Sequence, residues 1–171
     1  MKKTVFSLFV LVMSLSVFAQ KGEKAIGLNL GYGSQIKSPS IGVKFNYGIT
    51  DQIGLSPSFN YYFKKDGTSE WEINVDAHYL FNVAPKVTVY PLAGLTFTSW
   101  RFDWGDLFDG LGDYIDNSSS TSSSVTRFGV NLGGGIGYEL SNNISIGLEL
   151  KYCIISDFGQ FVPAVNLMYK F

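Results

Sequence analysis

From residue 24 onward the chain alternates between apolar and polar positions. Ile26, Leu28, Leu30 and Tyr32 are separated by glycine or asparagine, and the same period-two pattern returns in eight runs, at 24–33, 40–49, 53–63, 71–82, 87–99, 127–140, 143–155 and 160–171. A period of two puts all the apolar side chains of a run on one face of an extended strand, and no run carries the 3.6-residue spacing of an amphipathic helix. Most of the runs are ten residues or longer. That exceeds the common soluble strand and fits a tilted strand crossing a bilayer. The connections alternate too. Those at 50–52, 83–86 and 141–143 are tight, those at 34–39, 64–70 and 100–126 are longer, and 156–159 is intermediate. This is the rhythm of an up-and-down antiparallel sheet.

The distribution of charge along these faces narrows the architecture. The apolar face continues through Val43, Phe59, Ile73, Leu95, Leu132 and Leu150 to Phe171, and Lys24 at its edge is the only charge on it. Lys44, Glu72, Asp76, His78, Arg127, Glu139, Glu149, Lys151 and Lys170 all fall on the opposite face. A soluble ligand-binding barrel would point the apolar face inward, and a membrane barrel would point it at lipid. Glycine separates the two. Gly27, Gly42, Gly94, Gly133 and Gly147, among others, lie on the polar face. Eight strands enclose a narrow lumen where small residues are needed, whereas a water-facing exterior would be dense in lysine and glutamate. The expectation is therefore an all-β, eight-stranded antiparallel up-and-down transmembrane β-barrel. With both termini on the periplasmic side, Tyr47, Phe81, Tyr138, Tyr169 and Phe171 gather at one rim. Tyr32, Tyr61, Trp71, Phe128 and Phe161 gather at the other, giving the two aromatic girdles that bilayer interfaces select.

Composition agrees with a membrane wall. Charged residues are 16% of the chain, well below the quarter or so typical of soluble domains. Lys2 and Lys3 precede an apolar run from Val5 to Val12 that continues to Val17-Phe18-Ala19, which reads as a secretory signal peptide over 1–19 with the barrel over 20–171. Ser14, Ser16 and the shortness of the run argue against a membrane anchor. No cysteine follows it to carry a lipid, and Cys153 alone cannot form an intrachain disulfide. Without Lys2 and Lys3, the 13 basic residues fall to 11 against 14 acidic ones, a net charge of −3. With no basic patch, nothing supports nucleic-acid binding.

The final strand ends on Tyr169-Lys170-Phe171. With that ending and its eight alternating runs, the chain resembles the small eight-stranded outer-membrane barrels of gram-negative bacteria. It is most similar in pattern to the short outer-membrane β-barrel proteins common in Bacteroidetes. The resemblance implies an insertion signal at Tyr169 and Phe171, read by the barrel-assembly machinery. It also implies periplasmic termini, contact with outer-membrane lipids and lipopolysaccharide, and a monomer. The family pattern prefers glycine three residues before the penultimate aromatic and a polar residue two further back, where this chain has Asn166 and Ala164.

Candidate chemistry is sparse. His78 shares the lumen face with Asp76. As the base of a lipid hydrolase it would need a nucleophile near the lipid surface, so a packed polar plug is the expected role. Cys153 reads as a small filler, Gly133-Gly134-Gly135 precedes no helix that could cradle phosphate, and neither metal nor cofactor is expected. Lys44, Asp76, Glu149 and Lys151 should lie near mid-height. Unpaired charges in so narrow a space are costly, so these four are expected to form an ion network that blocks the pore. In the longest connection, Asp103, Asp106, Asp109, Asp113 and Asp116 would form an acidic stripe on a helix, but Gly105, Gly110 and Gly112 oppose one. Arg101 against these five Asp gives a local charge of −4. A solvated loop tip, contact with a surface partner through Trp104, Phe108 and Tyr114, and a weak calcium site are the readings, in that order. The expected function is a non-enzymatic integral outer-membrane protein with a structural or surface-interaction role, using loop 100–126 as the contact surface. A narrow channel for small solutes is the alternative, and a barrel enzyme acting on lipid comes third.

Overall fold

A computed structural model describes residues 21–65, 68–103, 122–156 and 158–171. Its strands are β1 Lys24–Gly33, β2 Ser38–Gly48, β3 Ile53–Lys65, β4 Thr68–Tyr79, β5 Phe81–Ala84, β6 Val87–Asp103, β7 Ser122–Glu139, β8 Ile144–Ile155 and β9 Phe158–Lys170. Neighbours follow the order β4-β3-β2-β1-β9-β8-β7-β6, and β4 pairs with β6 to close the ring. The seam between the first and last staves joins β1 to β9, from Ala25↔Lys170 to Gly31↔Ala164. Because β4 and β5 are consecutive pieces of one stave, the wall is an antiparallel barrel of eight staves.

The broken stave departs from the continuous run expected over 71–82. His78 pairs with Leu92 and Phe81 pairs with Val89, so the register is the same on both sides of the gap. Pro91 lies opposite the gap and has no N–H to offer the ladder. Leu80 donates its own backbone N–H to Gln52 O instead, at 2.7 Å.

Alternation puts the apolar side chains outside. Leu28, Leu95, Leu132, Leu148 and Leu150 are each more than half exposed, while Asn60, Glu72, Asn74, Asp76 and Asn131 are 2% exposed or less. This inversion of a soluble protein is stable only where the wall faces hydrocarbon. Rings collect at the two ends of the wall. Towards the end opposite the termini, here the loop end, Trp71, Phe97 and Phe128 form a continuous series with centroids 5.7 and 4.8 Å apart, and Tyr152 and Phe161 meet at 4.6 Å. Towards the terminal end, Tyr79 and Phe81 meet at 4.7 Å.

The tight turns share a device. Thr50 Oγ1 accepts from Ile53 N at 2.9 Å, and Ser141 Oγ accepts from Ile144 N at 3.2 Å, so a hydroxyl organises each turn across three residues. The longest connection is shorter than its composition suggested. β6 runs on to Asp103 and β7 starts at Ser122, paired from Thr98↔Arg127 to Asp103↔Ser122. Trp100, expected in the loop, is a buried strand residue at the loop end of the lumen.

Candidate functional site

The lumen is filled by polar side chains that reach across it, and two glycines make the crossings possible. Asn29 on β1 and Asn60 on β3 both lie opposite Gly42 on the intervening β2, and Asn29 Nδ2 donates to Asn60 Oδ1 at 2.8 Å directly over it. A Cβ at Gly42 would run into Asn60 Oδ1 and Phe59 O. The device recurs on the other side. Asp76 and Asn131 both face Gly94, and Asn131 Nδ2 donates to Asp76 Oδ1 at 2.8 Å across that strand. Glycine at these positions is where one side chain passes over another strand.

Three longer bridges span the lumen at successive heights. Nearest the loop end, Gln160 on β9 donates to Glu70 on β4 at 3.4 Å, and these strands are four staves apart around the ring. Next, Lys151 on β8 meets Glu72 on β4 at 3.2 Å. Towards the terminal end, Lys44 on β2 meets Glu149 on β8 at 2.5 Å. Each of the last two joins strands three staves apart. All six side chains are buried. Asn60 and Asn74 also donate to Glu72 Oε1, at 2.8 and 2.9 Å, so that carboxylate collects three donors. Tyr90 adds its hydroxyl to Glu149 at 3.1 Å.

Of the four lumen residues singled out from sequence, the structure pairs Lys44 with Glu149. Lys151 takes Glu72 rather than Asp76, and Asp76 is held by the amide of Asn131. Glu72, which the alternation puts on the lumen face, enters the network beyond the four expected residues. The amides of Asn60, Asn74 and Asn131 carried no signal beyond polarity.

Below these bridges a cavity of about 160 Å³ opens at the terminal end. His78 and Tyr90 line it as a stacked pair with centroids 4.6 Å apart, and Asn46, Asn82 and Thr88 line its sides. His78 Nε2 has no hydrogen-bond partner among the described residues. Lys170 bridges Glu23, at 3.0 Å, and Glu139 across the rim. Cys153 is a buried free thiol, and no cluster of metal-ligating side chains occurs among the described residues. Tyr169 and Phe171 both face outward at this end. The candidate contact rings Trp104, Phe108 and Tyr114 lie outside the described residues.

A barrel of this kind has structural relatives. The N-terminal β-barrel domain of Pseudomonas aeruginosa OprF superposes with a TM-score of 0.64 at 17% identity, covering 88% of this chain and 98% of that one. Ail, the attachment invasion locus protein of Yersinia pestis, gives 0.59 at 18%, covering 88% and 99%. Neisserial surface protein A gives 0.62 at 16%, covering 87% and 95%. Identities this low speak for the fold alone. No curated protein matches the chain by sequence. A family model for the outer membrane protein beta-barrel domain matches residues 5–171, and the chain belongs to that family.

Proposed function

We propose that this protein is a closed, non-enzymatic outer-membrane barrel whose working surface is the loop end, and above all the β6–β7 hairpin and the loop it carries. The observation that supports this most directly is the barred lumen. Bridges at three heights join strands three or four staves apart, which leaves little for a solute to pass through. The hairpin supports it as well, continuing six residue pairs beyond the Phe97↔Phe128 pair of the aromatic girdle. Its loop carries Trp104, Phe108 and Tyr114 as anchors, with a carboxylate run to steer basic or cation-bridged partners. Two of the structural relatives are named for attachment and for the surface, and Ail has been solved with the heparin analogue sucrose octasulfate. On this reading the termini are periplasmic, residues 1–19 are a cleaved signal, the wall contacts lipid and lipopolysaccharide, and the protein is a monomer.

Two measurements test the proposal together. In planar bilayers the intact protein should give no stepwise conductance, and regular steps would favour the small-solute channel instead. Excising residues 104–121 should leave a heat-modifiable, membrane-inserted barrel that has lost the surface binding of the intact protein. Retained binding would make the loop a passive tip.

The last residues support a role in assembly. Phe171 N donates to Lys24 O at 3.0 Å, and Lys170 N donates to Asn143 O at 2.7 Å, so the chain end is tied to both neighbouring staves. Tyr169 and Phe171 are the aromatics a barrel-assembly machinery would read. Deleting Phe171 should lower the yield of inserted barrel several-fold, while Lys170→Gln keeps most of it. Equal yields of heat-modifiable protein would reject this role.

A further inference from the structure

The bridge nearest the loop end differs from the other two in containing no lysine or arginine. Gln160 Nε2 donates to Glu70 Oε1, and both side chains are 1% exposed. Two atoms of this pair are left over. Glu70 Oε2 and Gln160 Oε1 have no hydrogen-bond partner among the described residues. They are the second oxygen of the carboxyl and the oxygen of the amide, the two atoms that would face each other if the groups met edge to edge.

The charges around the pair sharpen the question. Among the described residues the buried carboxyl groups are Glu70, Glu72, Asp76 and Glu149, against the buried ammonium groups of Lys44 and Lys151. Both lysines are committed elsewhere, Lys44 to Glu149 and Lys151 to Glu72. Glu70 has no ion pair among the described residues. The titratable or charged groups facing it are Tyr62 on β3, Glu72 on its own strand, and Lys151 and Cys153 on β8. Trp100 on β6, its cross-strand neighbour, also donates a side-chain hydrogen bond to the Glu70 carboxyl, and Tyr62 is its neighbour on the other side. A carboxylate here would be a second anion beside Glu72. It would be expected to capture the Tyr62 hydroxyl, yet Tyr62 Oη also lacks a partner.

We infer that Glu70 is a proton-binding site, and that the loop-end bridge is a neutral acid–amide pair closed by two hydrogen bonds. Gln160 Nε2–H donates to Glu70 Oε1, and Glu70 Oε2–H donates to Gln160 Oε1. One proton, taken from water, makes the two leftover atoms partners of each other and removes the uncompensated charge. When the proton leaves, Oε2 becomes an anion turned towards another acceptor, and the bridge opens. The seal across the loop end therefore depends on pH.

Infrared spectroscopy of the full-length protein in lipid vesicles reads this directly. At neutral pH the wild type should show the C=O stretch of a protonated carboxylic acid, and raising the pH should remove it. Glu70→Gln should abolish the band and keep a heat-modifiable barrel, since a second amide restores both hydrogen bonds. Gln160→Leu should keep the band but shift it, because the acid loses its amide partner. A missing band at neutral pH, or a band that Glu70→Gln leaves at full intensity, would overturn the inference. A band unmoved by Gln160→Leu would overturn the pairing. Thermal stability that rises with sodium but not with choline, in the absence of the band, would also overturn it, by making Glu70 a carboxylate held by a metal cation.

Discussion

Replacing Glu72 with leucine should cost about 3–5 kcal/mol of folding stability, the range seen when one member of a buried ion pair is removed. Lys151 is buried and takes its charge partner from Glu72 at 3.2 Å. Asp76, another carboxylate that Lys151 feels, already accepts from Asn131. The substitution also strips an acceptor from Asn60 and Asn74, leaving buried donors unmade. Adding Lys151→Met should return most of the loss, because an apolar pair of similar volume replaces buried charges at little net cost. Urea titrations of folding into lipid vesicles measure each variant. A loss within about 1 kcal/mol, the size of an exposed pair, would mean that water reaches Lys151 and that the lumen is not closed at that height.

Leu150→Arg should cost about 2–4 kcal/mol by the same measurement, and Ile144→Arg on the same strand only about 0–1 kcal/mol. Both side chains point outward, at 53% and 40% exposure. Leu150 pairs with Gly134 and Pro163 in the middle of the wall, whereas Ile144 pairs with Tyr169 at the aromatic rim of the terminal end. An arginine at mid-height has no water within easy reach, while one at the rim extends its guanidinium to the interface. Equal penalties at the two positions would put Leu150 outside the hydrocarbon and displace the wall.

The wall was legible in the sequence because strand alternation is strict. A residue's face follows from counting, and eight runs with their charges on one face admit few closed forms. The lumen was legible only as a list. Glu72 and Asp76 share a strand and a face, and counting cannot choose which of them Lys151 meets. That choice depends on the relative height of strands three staves apart, set by barrel tilt and stagger rather than by local pattern. The end of β6 failed for another reason. Beyond Phe97 the outward positions are Ser99 and Arg101, because the strand has left the apolar layer, so pairing continues after its hydrophobic signature stops. The gap at Leu80 was hidden because its cause, Pro91, sits on a different strand.

The three bridges have a bearing on how the barrel is made. Their partners are separated by 90, 79 and 105 residues. Lys44 on β2 and Glu149 on β8 are five staves apart while the β1–β9 seam is open and three once it closes, whereas the other two bridges span the same number of staves either way. Before closure, Lys44 and Glu149 must remain hydrated, which ties the half-assembled sheet to water along one face while the other enters lipid. Joining β1 to β9 therefore completes the last ladder, expels that water and makes the Lys44–Glu149 ion pair in a single event. Such a step gives little reward until it is finished and holds firmly afterwards. The seam behaves as a latch, slow to set without help and slow to release, so persistence in the membrane is governed kinetically by reopening that one edge.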